Sequence, residues 1–372
     1  MDKSFYSVDV FKKDSLRAVD AKFEAQKIAF APLTFQAVRA LIELGILQAV
    51  EESGDAGISI NELAQKTGVS EYGVGVLCEM ALSMNVIKLT QDSDLASTEK
   101  FVLGKIGWMF LEDDLTKANF NFSNDICYKG AWDLLDSIKN GKPEGLKTFG
   151  TQWTTIYEAL SALPSKAKES WFNFDHFYSD IAFFETLPIV FAQSPKHIVD
   201  IGGNTAKWSI ACCKYNHDVR MTIVDLPGQT AVAEKNAAAA GFADRISTYA
   251  ANILLEDTKL PSAPDAVWMS QFLDCFSLQQ VTDILSKVYD AAAPHTDVYV
   301  LEPLWDKQRF MASSYSIMAT SLYFTCMANG NSKMYRYGEL VKAVEAAGFS
   351  LRTAHHNLGS NSYSLLVFRK NA

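Results

Sequence analysis

At 372 residues the chain is long enough for two domains, each with its own core. It is 48% apolar and 21% charged with a net charge of −9, which argues against nucleic acid, whose affinity comes largely from Lys and Arg on phosphates. No apolar run approaches the roughly 18 residues of a membrane span, and Met1-Asp2-Lys3-Ser4-Phe5-Tyr6 does not open a signal peptide. Six scattered cysteines without a C-x-x-C pair predict buried, reduced thiols in a cytosolic protein, with neither a disulfide frame nor a metal site.

In chain order, residues 1–53 read as helices. From Phe35 to Leu47 the apolar residues recur at helical spacing but are too many for one stripe, so this helix is expected to be buried on several sides, in a core or against a second subunit. Ser59-Ile60-Asn61-Glu62 is a capping box that opens a short helix through Lys66, and Ser70 caps a second helix to about Met84. Val86-Ile87-Lys88-Leu89 and Leu95-Ala96-Ser97-Thr98, around the turn Gln91-Asp92-Ser93-Asp94, predict a hairpin. Helix, helix and hairpin resemble a winged helix. A base-reading helix needs Arg, Lys, Asn or Gln towards the groove, but Ser70 to Met84 carries Glu71 and Glu79 and no basic residue. From Asp55 to Lys100 seven acids face three lysines, so the module reads as a dimerisation domain and not a DNA reader.

Residues 101–184 are expected to be helical and are rich in aromatics. Trp171-Phe172-Asn173-Phe174-Asp175-His176-Phe177-Tyr178 mixes rings with polar groups and reads as one wall of an aromatic substrate pocket. Trp171, Phe174, Asp175 and Phe177 are its candidate lining residues, with Met318 added from a helical insertion over about Arg309 to Met327. The expected division is 1–110 for dimerisation, 111–184 for connecting helices and 185–372 for the catalytic domain.

From Lys196 the chain alternates strand and helix, which predicts an α/β, doubly wound parallel sheet. Strands are expected at His197–Ile201, Arg220–Asp225, Ile246–Ala251, Ala266–Phe272 and Asp297–Pro303, with closing strands Leu351–His356 and Ser362–Arg369. The first strand runs through Asp200 into Gly202-Gly203-Asn204-Thr205-Ala206-Lys207, a tight turn into a helix N-terminus whose free N–H groups face a ligand. Asp225 ends the next strand 23 residues after Gly202, near the roughly 20-residue offset at which an acid meets a ribose diol. The spacing does not fit G-x-G-x-x-G. It fits better the D-x-G-x-G-x-G turn of enzymes that bind S-adenosylmethionine.

Taken together, these residues resemble the two-domain S-adenosylmethionine-dependent O-methyltransferases of small molecules, among them plant phenolic and bacterial polyketide methyltransferases. Val199-Asp200-Ile201-Gly202-Gly203-Asn204-Thr205 is similar to the family's V-D-V-G-G-G-T, Val224-Asp225-Leu226-Pro227 matches its D-L-P, and Asp244-Arg245-Ile246 through Ala251-Asn252-Ile253-Leu254 is similar to its D-R-V and G-D-F-F. Val300-Leu301-Glu302-Pro303, Asn329-Gly330 and Ala347-Gly348-Phe349 match later landmarks. The resemblance implies a class I Rossmann-like methyltransferase domain behind an N-terminal all-helical, winged-helix dimerisation domain, and a homodimer. It implies S-adenosylmethionine as cofactor, with S-adenosylhomocysteine as product. Asp200, Gly202, Gly203, Asn204, Asp225, Leu226, Asn252, Ile253, Ser270 and Gln271 would form the cofactor site, Asn252 standing where the family has an aspartate and Ser270 where many relatives have a lysine.

The departure from the pattern is at the base. The family's L-H-D-W has a histidine that takes the substrate proton, whereas here Phe272-Leu273-Asp274-Cys275-Phe276 sets Asp274 in that place. Glu302 keeps the position of one glutamate that braces the histidine, and Ser332 aligns with the other. Asp274 is then a base on an O–H, a group that orients an acceptor needing little deprotonation, the mark of an altered reaction, or a cap for the helix at Ser277. His176 is a second candidate base. The expected activity is transfer of a methyl group to a small aromatic or conjugated acceptor, oxygen favoured over carbon or nitrogen. A cofactor-binding relative catalysing another step and a ligand-sensing DNA regulator are the alternatives.

Overall fold

The computed structural model describes residues 11–93 and 99–371, apart from the side chains of 176–180. These residues divide into two compact units, 11–120 and 121–371.

In the first unit, helices Ala18–Ala29, Ala31–Glu43 and Ile46–Glu52 precede Ile60–Thr67 and Glu71–Ser83. The apolar stretch from Phe35 to Leu47 is two helices, because Gly45 turns left-handed at φ 71° and breaks the i to i−4 ladder. The capping box is made in both directions: Glu62 N–H donates to Ser59 Oγ at 3.3 Å, and Ser59 N–H donates to Glu62 Oε2 at 2.8 Å. Ser70 Oγ accepts from Gly73 N–H at 3.2 Å. These helices bury Leu41, Leu47, Leu63, Val74 and Cys78 in one core. Each such aliphatic side chain contributes roughly 1.5–3 kcal/mol. The helix Ala18–Ala29, in contrast, buries nothing, and Val19, Phe23 and Ile28 are exposed.

Strand β1 (Ile87–Leu89) pairs antiparallel with β2 (Phe101–Leu103), Lys88 opposite Val102. This corrects two expectations: the partner strand follows Lys100, and 101–103 is not helical. Phe101 is 1% exposed, and the burial of its ring selects that strand. Leu95-Ala96-Ser97-Thr98 lies outside the described residues.

The second unit carries strands β3 (His197–Ile201), β4 (Arg220–Asp225), β5 (Ile246–Ala250), β6 (Ala266–Ser270), β7 (Asp297–Glu302), β8 (Phe349–Leu358) and β9 (Tyr363–Lys370). They form one sheet in the order β5-β4-β3-β6-β7-β9-β8. The first five are parallel, and β9 pairs antiparallel with both β7 and β8. Every residue of β7 is buried, as expected of a central parallel strand covered on both faces, while edge strand β5 is largely open. The chain winds outward from β3 to β5 and returns to β6 beside β3. The crevice beyond the carboxyl ends of β3 and β6 is therefore the switch point of the sheet, where such folds bind ligands.

Helices Leu278–Ala291 and Tyr337–Ala346 pack on the sheet, while segments 122–174 and 317–334 gather around Phe122, Leu146, Ile156, Trp171, Tyr323 and Met327. The rings of Phe122 and Phe174 stack at 3.9 Å, and Tyr323 meets Phe122 edge-on at 4.8 Å. The expected insertion is the helix Met311–Tyr323, which widens into a π-type turn over Phe324–Ala328. Among the described residues no single helix is long and apolar enough to cross a membrane.

Candidate active site

The turn after β3 is shaped by contacts that only glycine permits. Gly202 has φ +75°, and a Cβ there would lie 2.3 Å from Phe272 Cδ2. A Cβ on Gly203 would lie 2.8 Å from Ile223 Cγ2 and 2.9 Å from Asp200 Oδ2. Asn204 (φ 45°) and Ala206 (φ 67°) hold left-handed geometry without glycine, the asparagine comfortably and the alanine under strain. Asn204 N–H donates to Asp225 Oδ2 at 2.9 Å, and Leu226 N–H donates to Oδ1 at 2.7 Å. Each of these oxygens keeps a lone pair for a further donor. Burial raises the Asp225 pKa above the ordinary aspartate value, and the two backbone N–H groups oppose that rise. Asp200 lies beneath the turn and takes a 2.6 Å hydrogen bond from Ser209 Oγ; burial pushes its pKa up to about 7.

A cavity of about 910 Å³ opens from this turn. Gly202, Asn204, Asp225, Leu226, Asn252, Ile253 and Gln271 line it along the strand ends. The turn fits a nucleoside-bearing cofactor in one checkable respect: Asn204 Oδ1 and Gln271 Oε1, on two cavity-lining residues, are buried and have no partner among the described residues. Gln271 is also left-handed at φ 45°, a strain typical of binding sites. Asn252 Oδ1 accepts from Leu254 N–H at 3.0 Å, leaving it one lone pair for a ligand.

Across the cavity lies the short turn Leu273–Cys275. The β6–β7 register sets Ser270 beside Leu301, so Glu302 falls next to this turn. Its Oε1 accepts from Phe272 N–H at 3.1 Å and Leu273 N–H at 2.9 Å. Its Oε2 is buried without a donor. Asp274 is 3% exposed, and Ser277 caps its own helix through Gln280, so Asp274 is no helix cap. Burial raises both carboxyls, and the negative charge of Asp274 lifts Glu302 further. Two buried carboxyls side by side cannot both ionise. Both pKa values are thus held above the ordinary carboxylate range, Glu302's the further of the two. The Cys275 thiol reaches Asp274 Oδ1 at 3.5 Å. Ser332, aligned with the second bracing glutamate, does not reach the pair; it accepts from Asn329 Nδ2 at 2.8 Å, and the same amide donates to Cys275 O at 2.6 Å.

Of the expected pocket residues, Trp171, Phe174 and Asp175 line the cavity. The backbone of His176 and Phe177 continues their helix, Ser165–Ser179, but both side chains lie outside the described residues. Met318 is a correction. The residues of its helix that face the cavity are Thr320 and Tyr323, followed by Phe324, and at 100° per residue Met318 points to another side. Asp200, Gly203, Ser270 and Glu302 sit behind the wall and support it. Tyr157, Tyr323 and Asn329 also line the site and were not picked out as site residues. Trp171 Nε1 donates to the Tyr323 hydroxyl at 2.8 Å, tying two walls together. Tyr157 is one of many aromatics in its region, and nothing in the sequence separates it from the core rings.

A Dimerisation2-like domain matches residues 22–94, and an O-methyltransferase domain matches residues 132–350. The L-tyrosine C(3)-methyltransferase of Streptomyces lavendulae is 20% identical over 329 residues, 88% of this chain and 86% of the relative. The 3-hydroxy-5-methyl-1-naphthoate 3-O-methyltransferase of Streptomyces sahachiroi is 32% identical over 127 residues, 34% of this chain and 36% of the relative. The apo structure of the S-adenosylmethionine-dependent methyltransferase SibL shares the fold, with a TM-score of 0.69 and 22% identity, covering 93% of this chain and 98% of that one. With well over half of its length matched to the family model and its glycine turn at the sheet's switch point, the chain belongs to the O-methyltransferase domain family.

Proposed function

We propose that the chain is an S-adenosylmethionine-dependent methyltransferase, active as a homodimer through its N-terminal domain, that methylates a small aromatic acceptor on oxygen with Asp274 as the proton acceptor. The observation that carries this reading is the buried Asp274 on the wall of a cavity that begins at the Gly202 turn, with Glu302 buried behind it. When bound, S-adenosylmethionine supplies an electrophilic methyl group. The Gly202 turn and the Asn204 and Gln271 amides would hold its amino-acid part, Asp225 its ribose hydroxyls, and Asn252 and Ile253 its base. Trp171 and Phe174 offer flat apolar faces to a ring. An ordinary aspartate, near pKa 4, is a poor base for a phenol near 10, and each step that raises Asp274 narrows that gap. Neutral Glu302 lets the pair carry one negative charge and accept one proton.

Incubation of purified protein with methyl-labelled cofactor and a panel of phenols tests this. Label in the phenol is the expected result. Failure to bind S-adenosylhomocysteine by calorimetry would overturn the whole reading. A second reading is transfer to the ring carbon beside the hydroxyl, because the Streptomyces lavendulae relative is a C(3)-methyltransferase and a phenolate is nucleophilic at that carbon too. Proton NMR of the product separates an O-methyl from a C-methyl group.

A further inference from the structure

We propose that the Tyr157 hydroxyl donates a hydrogen bond to the acceptor oxygen whose proton Asp274 takes, holding that oxygen as it becomes an anion. The proposal rests on the reading of this site as a phenol methyltransferase and names a residue with which it selects its acceptor.

Tyr157 stands in the short helix Ile156–Ala159 and lines the cavity. Its hydroxyl oxygen is buried yet has no hydrogen-bond partner among the described residues. The thiol of Cys275 lies beside it, a weak partner. The Tyr323 hydroxyl oxygen, in contrast, already accepts a hydrogen bond from Trp171 Nε1 and so is not orphaned, although its own O–H stays free to donate. A buried hydroxyl without a partner costs roughly 1–3 kcal/mol, so its place on a cavity wall implies that a ligand completes it. Tyr157, Asp274 and Cys275 all line this one cavity, and Cys275, the neighbour of the Tyr157 hydroxyl, follows Asp274 directly in the chain. Burial drives the phenol's pKa well above its ordinary value, so it remains a donor and is no base itself.

A hydroxyl acceptor suits this pair of groups. Its O–H points at Asp274 while its lone pairs stay open to Tyr157. In the proton step the acceptor O–H bond breaks, the proton moves to the Asp274 carboxylate and the electron pair stays on oxygen. Tyr157 O–H then donates to a full negative charge, which is where such a bond is strongest. An aniline N–H could donate to Asp274, but its delocalised lone pair would take little from Tyr157. The arrangement therefore favours phenols over anilines.

The test uses Tyr157→Phe and the unaltered protein, both saturated with S-adenosylhomocysteine, and 4-nitrophenol as a probe whose ionisation is read by absorbance. The expected result is about tenfold weaker binding of the phenol in the variant, an upward shift of the bound probe's ionisation midpoint by about one unit, and unchanged binding of 4-nitroaniline. The ligand-free variant should melt at the same temperature as the unaltered protein or higher, because an unpaired polar group has been removed. Equal phenol affinity and equal midpoints would overturn the proposal. So would a variant that melts lower or fails to fold, since its hydroxyl would then serve the structure. If 4-nitrophenol binds neither protein while S-adenosylhomocysteine binds both, this inference falls and the cofactor reading stands; if S-adenosylhomocysteine binds neither, the broader reading falls first.

Discussion

The two ends of the cavity are made by different means. At the β3–β4 end the shape comes from backbone: a left-handed glycine under Phe272, a second glycine against Ile223, and N–H groups of Asn204 and Leu226 that fix the Asp225 carboxylate. At the other end it comes from side chains with little freedom and little water, Asp274, Glu302, Tyr157 and Cys275, all held away from their solution behaviour. A backbone site tolerates few substitutions but keeps one job. A side-chain site can be rewired residue by residue, which suits it to changing acceptors while the nucleotide stays the same.

The largest effect expected to separate the ends is that of Asp274→Asn. Turnover should fall by about 10²–10⁴-fold, as for loss of a positioned base, while S-adenosylhomocysteine affinity measured by calorimetry is unchanged. Equal loss of both would erase the distinction drawn here. The mirror experiment is Gly202→Ala, which adds a Cβ at positive φ and 2.3 Å from Phe272. It should cost about 1–3 kcal/mol of stability in denaturant melts and weaken the cofactor by at least about tenfold.

The pH dependence sharpens the comparison further. Asp200, Asp225, Asp274 and Glu302 all have pKa values raised by burial. In the unfolded chain they ionise near pH 4, so between that value and their raised native values the folded state binds more protons. Stability should therefore fall as pH rises across that interval, reaching about pH 7 for Asp200. The rate of the enzyme should rise over the same interval, as Asp274 loses its proton, and Asp274→Asn should flatten that limb. Melting curves and kcat/KM from pH 5 to 8 read both trends.

The smallest effect is expected at Ala206→Gly. A left-handed alanine stores strain that glycine does not, so the variant should gain about 1 kcal/mol, a rise of a few degrees in Tm.

Legibility in the sequence follows the same division. The Gly202 turn, Asp225 and the strands around them could be read directly, because β-branched runs, glycines and terminal acids report backbone geometry. The capping box at Ser59 is local for the same reason. The strand Phe101–Leu103 was hidden, since its pairing with Ile87–Leu89 is decided by burial across an intervening loop. Met318 was misplaced by a fraction of a helical turn. Tyr157 could not be read at all, because it reaches the site only where a helix from one part of the chain meets a strand end from another.

Phe272 belongs to both ends. Its ring covers the Cα of Gly202 and meets Phe276 at 4.9 Å, and its own N–H rests on Glu302. A nucleotide that pressed on the glycine turn would thus lean, through one aromatic ring, on the carboxyl that lies behind Asp274. Should the ring shift when either small molecule arrives, the two affinities would be linked, and by the same factor in both directions.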